Sequence, residues 1–98
     1  MQPLSEIEVD GRPITFDHGM LLLHQMTGDI IGHWHIVLLR VPPADMLCVG
    51  ADPEADCAVV AETDRGERLV GWAHPRPFKT APDCLRLVGI SPLEWGES

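Results

Sequence analysis

His33 and His35 are the residues of this sequence whose type and spacing come closest to a metal site. They flank Trp34 in a run of β-branched, aromatic and aliphatic residues over 30–41, which predicts an extended strand. Side chains two residues apart on a strand point the same way with roughly 7 Å between their roots, so two imidazoles can bind one transition-metal ion. A third ligand must come from elsewhere in the chain, where His18, His24, His74 and the cysteines are available. We name His74 among them, with zinc, nickel or iron as the metal.

The interpretation that we favour is that these histidines are hydrogen bonded or solvated at the end of the strand and that the chain holds no cofactor. A glycine followed by His-x-His on a strand is nevertheless similar to the first metal motif of the cupins. That resemblance implies a small metal-binding β-barrel, an enzyme or a sensor, which we keep as the alternative function. Leu39 and Arg40 stand where cupins carry a glutamate, so the motif assigns the chain to no family.

The strand that carries the two histidines must be positioned by the elements around it. Residues 33–41 are apolar on both sides after the first positions, which predicts a central strand covered on both faces. Residues 46–51 resume an apolar extended pattern and predict a hairpin with this strand. Three prolines make 74–82 a stiff loop unable to sit inside a sheet, and 84–90 predict a last strand.

Two further hairpins are predicted from turn residues. Asp10-Gly11 suits a two-residue turn, since both of its central residues must take a positive φ. A turn over 64–67 joins strands over 57–63 and 68–74. We expect one face of this second hairpin to carry Val59, Ala61, Val70 and Trp72, and the other to carry Ala58, Val60, Glu62, Leu69, Gly71 and Ala73.

Residues 17–28 favour one short helix, because Asp17 suits an N-cap and Gly28 suits its end. The alternative is a further strand over 20–25. Short strands at regular spacing, with turn signals between them, predict a mainly β fold. We expect a small antiparallel barrel or sandwich of about six to seven strands, in a single domain over 1–98.

The charge of the chain bears on the partners it can bind, and its cysteine content bears on the compartment in which we expect it. Fifteen acidic residues against seven basic ones give a net charge of −8, which argues against direct binding to nucleic acid, because that affinity comes from clustered Lys and Arg. Three cysteines without a paired short spacing predict a reduced, cytoplasmic protein. We expect no secretion signal, because the N-terminal residues lack both a basic and an apolar region, and no membrane span, because no apolar run is long enough.

No catalytic motif is present in the sequence, so we lean against an enzyme. We predict a small acidic protein-binding module, such as an inhibitor, an immunity-type protein or an accessory factor. Its partner is another protein with a basic surface, and a homo-oligomer is the other arrangement that we consider. The predicted binding residues are an acidic loop and a proline-stiffened aromatic segment: Asp52, Glu54, Asp56, Trp72, Arg76 and Phe78.

Overall fold

The computed structural model describes residues 2–27, 30–49, 55–78, 80–81 and 83–95. The elements of this part of the chain are β1 Gln2–Val9, β2 Arg12–Pro13, β3 His18–Thr27, β4 Ile30–Leu39, α1 Pro43–Val49, β5 Cys57–Thr63, β6 Arg68–Pro77, β7 Leu85–Gly89 and β8 Glu94–Trp95. Six strands close an antiparallel barrel in the order β1-β3-β4-β7-β6-β5, because β1 also pairs with β5. The short strands β2 and β8 pair with β1 and β6. The predicted small antiparallel β-barrel is confirmed.

Trp34 lies in the interior of the barrel and is only 2% exposed. Its indole Nε1 donates a hydrogen bond to the Ser91 carbonyl oxygen at 2.8 Å. Gly71 of β6 and Gly89 of β7 lie against the ring, and a Cβ atom on Gly89 would overlap it. Strands β7 and β6 follow β4 in the barrel, and a bulky ring fits against them at this level only where they lack side chains. The two glycines therefore make the space that Trp34 fills.

The first hairpin has the predicted turn and register. Asp10 and Gly11 take positive φ angles of 54° and 79°, and Val9 pairs with Arg12. The Ile14 amide donates to the Ile7 carbonyl oxygen at 3.0 Å, which continues the predicted pairing beyond β2. The two isoleucines are buried, so this hairpin covers the core with one side only, as expected.

The second hairpin is confirmed, but the predicted facing of its second strand is wrong. Val59 pairs with Gly71, and the inward side of β6 is Leu69, Gly71, Ala73 and Pro75, while Trp72 points out. The reason is the loop length. The Thr63 amide donates to the Glu67 carbonyl oxygen at 2.8 Å, which leaves a loop of three residues that ends on Gly66 at φ 82°. A shift of one residue in the loop turns every side chain of the following strand to the other face.

The helix predicted over 17–28 is wrong, and so is the strand predicted over 46–51. Residues His18–Thr27 form β3, which pairs with both β1 and β4, and Pro43–Val49 form α1. Helix propensity is a weak preference that pairing on two sides overrides. Pro43 fits the first position of a helix, because its fixed φ is helical and its missing N–H has no partner there. At seven residues α1 is too short to cross a bilayer, and the described residues form no long apolar helix.

The central position of β4 is confirmed, because β3 and β7 pair with it on either side. The expectation that both of its faces are covered is wrong. Trp34, Ile36 and Leu38 fill the interior, whereas His33 and Leu39 on the other face are exposed. A closed barrel buries only the inner face of each strand, so the apolar residues on the outer face of β4 remain partly exposed.

The proline-rich segment enters the sheet, contrary to the prediction for 74–77. Strand β6 runs on to Pro77, and Pro75 pairs with Leu87 of β7. Strand β5 pairs with β6 only as far as Ala73, so one side of this final stretch has no partner strand among the described residues. Prolines are tolerated in a strand where no neighbour needs their missing N–H.

Asp45 connects α1 to the first hairpin, and its removal is expected to lower the free energy of unfolding by about 1 kcal/mol. Its carboxylate accepts a hydrogen bond from the Thr15 amide at 3.0 Å and lies 3.8 Å from the Arg12 guanidinium. Urea unfolding compares Asp45→Ala, which removes both contacts, with Arg12→Ala, which removes the ion pair alone. Because exposed ion pairs contribute little, we expect a smaller loss for Arg12→Ala. Equal losses would mean that the ion pair, rather than the amide contact, anchors the helix.

Candidate functional site

The two histidines of the His-x-His motif, His33 and His35, both lie on the outer face of β4. The imidazole that contacts His35 belongs to His24 of the neighbouring strand β3, not to His33 or His74. His24 Nε2 and His35 Nδ1 are 2.6 Å apart, and the two rings are stacked with their centroids separated by 4.6 Å. The β3–β4 register shifts on both sides of Gln25, and His24 lies at this irregularity. Irregularities of this kind redirect side chains, which explains why regular strand spacing does not predict the contact.

His74 lies on the outer side of β6, where its Nδ1 is 3.2 Å from the Asp56 carboxylate. His35 and His74 both pair with Val88 of β7, so they are separated by two strand spacings, or roughly 10 Å. Among the described residues, no three His, Cys, Asp or Glu side chains gather closely enough to hold a metal ion. The structure therefore does not bring together His33, His35 and His74, the predicted ligands.

Burial lowers the pKa of His35 below its ordinary value, and the positive charges of His24 and Arg86 lower it further. The unfolded chain therefore binds a proton at this residue at a higher pH than the folded chain does. It follows that the free energy of unfolding decreases as the pH falls through and below about 6.5.

We expect His35→Gln to reduce this loss of stability on acidification. The measurement is urea unfolding at several pH values between about 7.5 and 5.5, with EDTA present, on the wild type and the variant. His33→Gln is the control, because His33 is exposed on the same strand face. If the free energy of unfolding changed with pH in the same way for the wild type and His35→Gln, the pKa of this imidazole would be the same in the folded and the unfolded chain.

Cys57 is buried, and its thiol donates to the Ala73 carbonyl oxygen at 3.3 Å. Burial, with the nearby carboxylates of Asp10 and Asp56, raises the pKa of this thiol to about 11. Since the thiolate is the reactive form of cysteine, Cys57 is held in its unreactive form and acts as a core residue.

A second feature of the exterior is a segregation of charge. Strands β3, β4, β7 and β6 are neighbours in the barrel and contain no Asp or Glu, although the chain has fifteen. The same four strands contain all five histidines of the chain. We call their outer side the histidine-arginine face, and its outward charged and aromatic residues include His24, His33, His35, Trp72, His74, Arg76 and Arg86.

Arg76 and Arg86 are directly opposite each other on β6 and β7, and both are exposed. Like charges in this position destabilise a sheet. The Arg86 guanidinium lies over the Phe78 ring, 4.8 Å from its centroid. No salt bridge of the described residues involves either arginine. The pair therefore concentrates positive charge that nothing within the described part of the chain neutralises.

Trp72 lies two residues before His74 on β6, and its side chain is 51% exposed. Its carbonyl oxygen accepts from the Ile90 amide and its own amide donates to Ser91 Oγ, both at 2.9 Å. These bonds fix the backbone on which the indole stands. Ile90 and Val70 are also exposed, so Trp72 belongs to an apolar patch.

The predicted partner-binding residues divide into two groups. Trp72 and Arg76 share the outer side of β6, and Phe78 contacts Arg86, while Asp56 contacts His74, which lies between Trp72 and Arg76. Asp52 and Glu54 lie outside the described residues. Sequence reasoning missed Arg86 and Ile90. The alternation of buried Leu85 and Leu87 with Arg86 was a signal for an outward arginine, but not for its neighbour on β6.

Acidic residues occupy the opposite wall, which is formed by β1 and β5. Glu6 and Glu62 are opposite each other, and Glu8 follows on the same side of β1. Arg68 at the start of β6 pairs with Glu62, so a counter-charge lies at the boundary between this wall and the histidine-arginine face. The strands of the barrel thus differ in charge: β1 and β5 carry Glu6, Glu8 and Glu62, whereas in the part of the chain that the structure describes carboxylates reach the histidine-arginine face only from flanking residues such as Asp56.

Comparison with known proteins adds no further assignment. No protein-family model, curated protein or solved structure matches this chain.

Proposed function

We propose that this chain is a protein-binding module, an accessory or inhibitory factor, that binds an acidic segment of a partner protein on its histidine-arginine face. The observation that carries the proposal is the opposed arginine pair Arg76 and Arg86, which shares the outer side of β6 and β7 with the half-exposed Trp72, on strands whose sequences contain no Asp or Glu. In this proposal the protein acts by binding its partner, and the barrel holds the binding residues in fixed positions.

Charge complementarity supports an acidic partner. A carboxylate that binds between Arg76 and Arg86 relieves the repulsion of two guanidiniums that face each other across neighbouring strands. Arginine suits this role because its planar group can donate two parallel hydrogen bonds to one carboxylate. The protein as a whole carries a charge of −8, so it repels an acidic partner except at this face, which favours one orientation of binding.

The aromatic patch supports a protein segment rather than a small anion. Trp72 and Ile90 are each about half exposed and lie side by side, joined by a backbone hydrogen bond. Tryptophan and arginine are the residues most enriched at sites that dominate binding energy, and they act best when an apolar side chain covers them. The expected segment therefore combines carboxylates with at least one large apolar side chain.

Selection from a random peptide library displayed on phage tests the proposal, because the library samples acidic, basic and apolar segments alike. The protein is immobilised, and binders are counter-selected against the triple variant Trp72→Ala, Arg76→Glu, Arg86→Glu. These side chains are exposed, so the variant should remain folded, which circular dichroism checks. We expect enriched peptides that contain Asp or Glu next to a large apolar residue. Their affinity should decrease as salt concentration rises.

Three outcomes would overturn the proposal. They are enrichment of no peptide, enrichment of peptides that bind the triple variant equally well, and self-association through this face, shown by sedimentation of a wild-type oligomer that Trp72→Ala converts to a monomer.

A basic partner on the acidic wall is the second candidate, and the cross-strand pair Glu6 and Glu62 favours it. The same selection distinguishes the two. Enriched peptides rich in Lys and Arg, whose binding is lost in Glu6→Lys, Glu62→Lys but retained in the triple variant, would support this second candidate over the first.

A further inference from the structure

We propose that His24 and His35 form a cross-strand site for a transition-metal ion with a preference for imidazole ligands, Cu²⁺ above all. Each histidine supplies one nitrogen and water supplies the remaining ligands. The site differs from the predicted His33, His35 and His74 set, and it does not depend on the protein-binding function.

The distance between the two nitrogens carries this inference. His24 Nε2 and His35 Nδ1 approach to 2.6 Å, from two strands held in one ladder. Two nitrogens in neighbouring positions of a square-planar Cu²⁺ ion lie roughly 2.8–3.0 Å apart, given metal–nitrogen distances of about 2.0–2.1 Å. The His24 side chain is exposed, so it can rotate to separate the two nitrogens by a few tenths of an ångström and to direct its lone pair at the ion instead of at His35.

The proton balance also permits binding without a change of charge on the rings. A hydrogen bond between two neutral imidazoles has one N–H donor and one acceptor nitrogen. When the metal ion replaces this hydrogen bond, the donor ring shifts its proton to its other nitrogen. Both rings then present a lone pair to the metal and remain neutral.

The surroundings select the kind of ion. The four strands of this face contain no Asp or Glu, so the oxygen ligands that calcium and magnesium require are missing from them. Imidazole suits copper, nickel and zinc, and Cu²⁺ has the highest affinity of the divalent series. Arg86 is close enough to His35 to repel a cation, which lowers the affinity of any ion that binds there.

Calorimetric titration of the purified protein with CuSO₄ tests the site. We expect one Cu²⁺ per chain and an electron paramagnetic resonance spectrum in which two nitrogen ligands cause superhyperfine splitting. Loss of even an outer partner of a metal ligand costs about 10–100-fold in affinity, so His24→Gln should lower the affinity by at least about tenfold. His33→Gln is the matched control on the same face and should bind as the wild type does. Arg86→Gln should bind more tightly.

The contrary results are specific. No stoichiometric Cu²⁺ binding by the wild type, or equal affinity in His24→Gln, would overturn the proposal. A loss in His33→Gln as large as the loss in His24→Gln would assign the metal to the His-x-His motif instead. His24 is exposed, so its replacement should leave the fold intact, and the melting curve without metal checks this.

Discussion

Trp34→Ala is expected to lower the free energy of unfolding by about 3–5 kcal/mol, the largest loss from any single truncation that we predict for this barrel. Trp34 is 2% exposed, and its ring occupies the space left by Gly71 and Gly89. The truncation leaves a cavity that strand pairing prevents from collapsing, and the Ser91 carbonyl oxygen loses its hydrogen-bond donor. A domain of this size has roughly 5–15 kcal/mol of total stability, so the variant should be close to unfolding at 25 °C.

Urea unfolding followed by circular dichroism measures the loss, and Trp72→Ala is the matched control. Trp72 is 51% exposed, so removing its ring should cost less than about 1 kcal/mol. If the two variants lost similar stability, Trp34 would not be the centre of the core.

Gly89→Ala is expected to destabilise the protein by about 1–3 kcal/mol, although it adds a single methyl group. The new Cβ atom would overlap the Trp34 indole on the neighbouring strand β4, and this ring is held in place because it is buried and hydrogen bonded to the Ser91 carbonyl oxygen. Adding a methyl group at Gly32 should cost little, because no atom lies within 4 Å of that position, and Gly32→Ala is therefore the control. Thermal unfolding of both variants under the same conditions compares them.

The double variant Gly89→Ala, Trp34→Phe tests whether the loss comes from this contact. A phenylalanine ring is smaller than an indole and leaves room for the methyl group, so the loss caused by Gly89→Ala should shrink in the Trp34→Phe background. Additive losses would place the cause of the Gly89→Ala effect elsewhere.

Local turn chemistry predicted much of the fold. The positive φ angles that Asp10-Gly11 requires, and the Gly66 turn, define two hairpins whatever surrounds them. The facing of the second hairpin was wrong because its loop is one residue shorter than predicted, and the two errors in element type fell where helix and strand were equally compatible with the sequence. An apolar run such as Met20–Leu23 or Met46–Val49 is compatible with helix or strand, and only pairing partners far along the chain decide between them.

The candidate site was less predictable than the fold, because it depends on register across strands. Trp72, Arg76 and Phe78 were singled out by type, but the contribution of Arg86 follows from its place opposite Arg76 on β7. The contact between His24 and His35 depends on a shift of register at Gln25 that no periodic pattern in the sequence encodes. Strand order and irregularities of this kind are set by the closure of the whole barrel.

An NMR titration of isotope-labelled protein with the tightest acidic peptide from the phage selection locates the binding face residue by residue. We predict that the largest amide shifts fall on β6 and β7, around Trp72, Arg76 and Arg86, together with a shift of the Trp72 indole resonance. The shifts should weaken as salt concentration rises. Shifts centred on Glu6 and Glu62 of the opposite wall, with the Trp72 indole unchanged, would contradict the account.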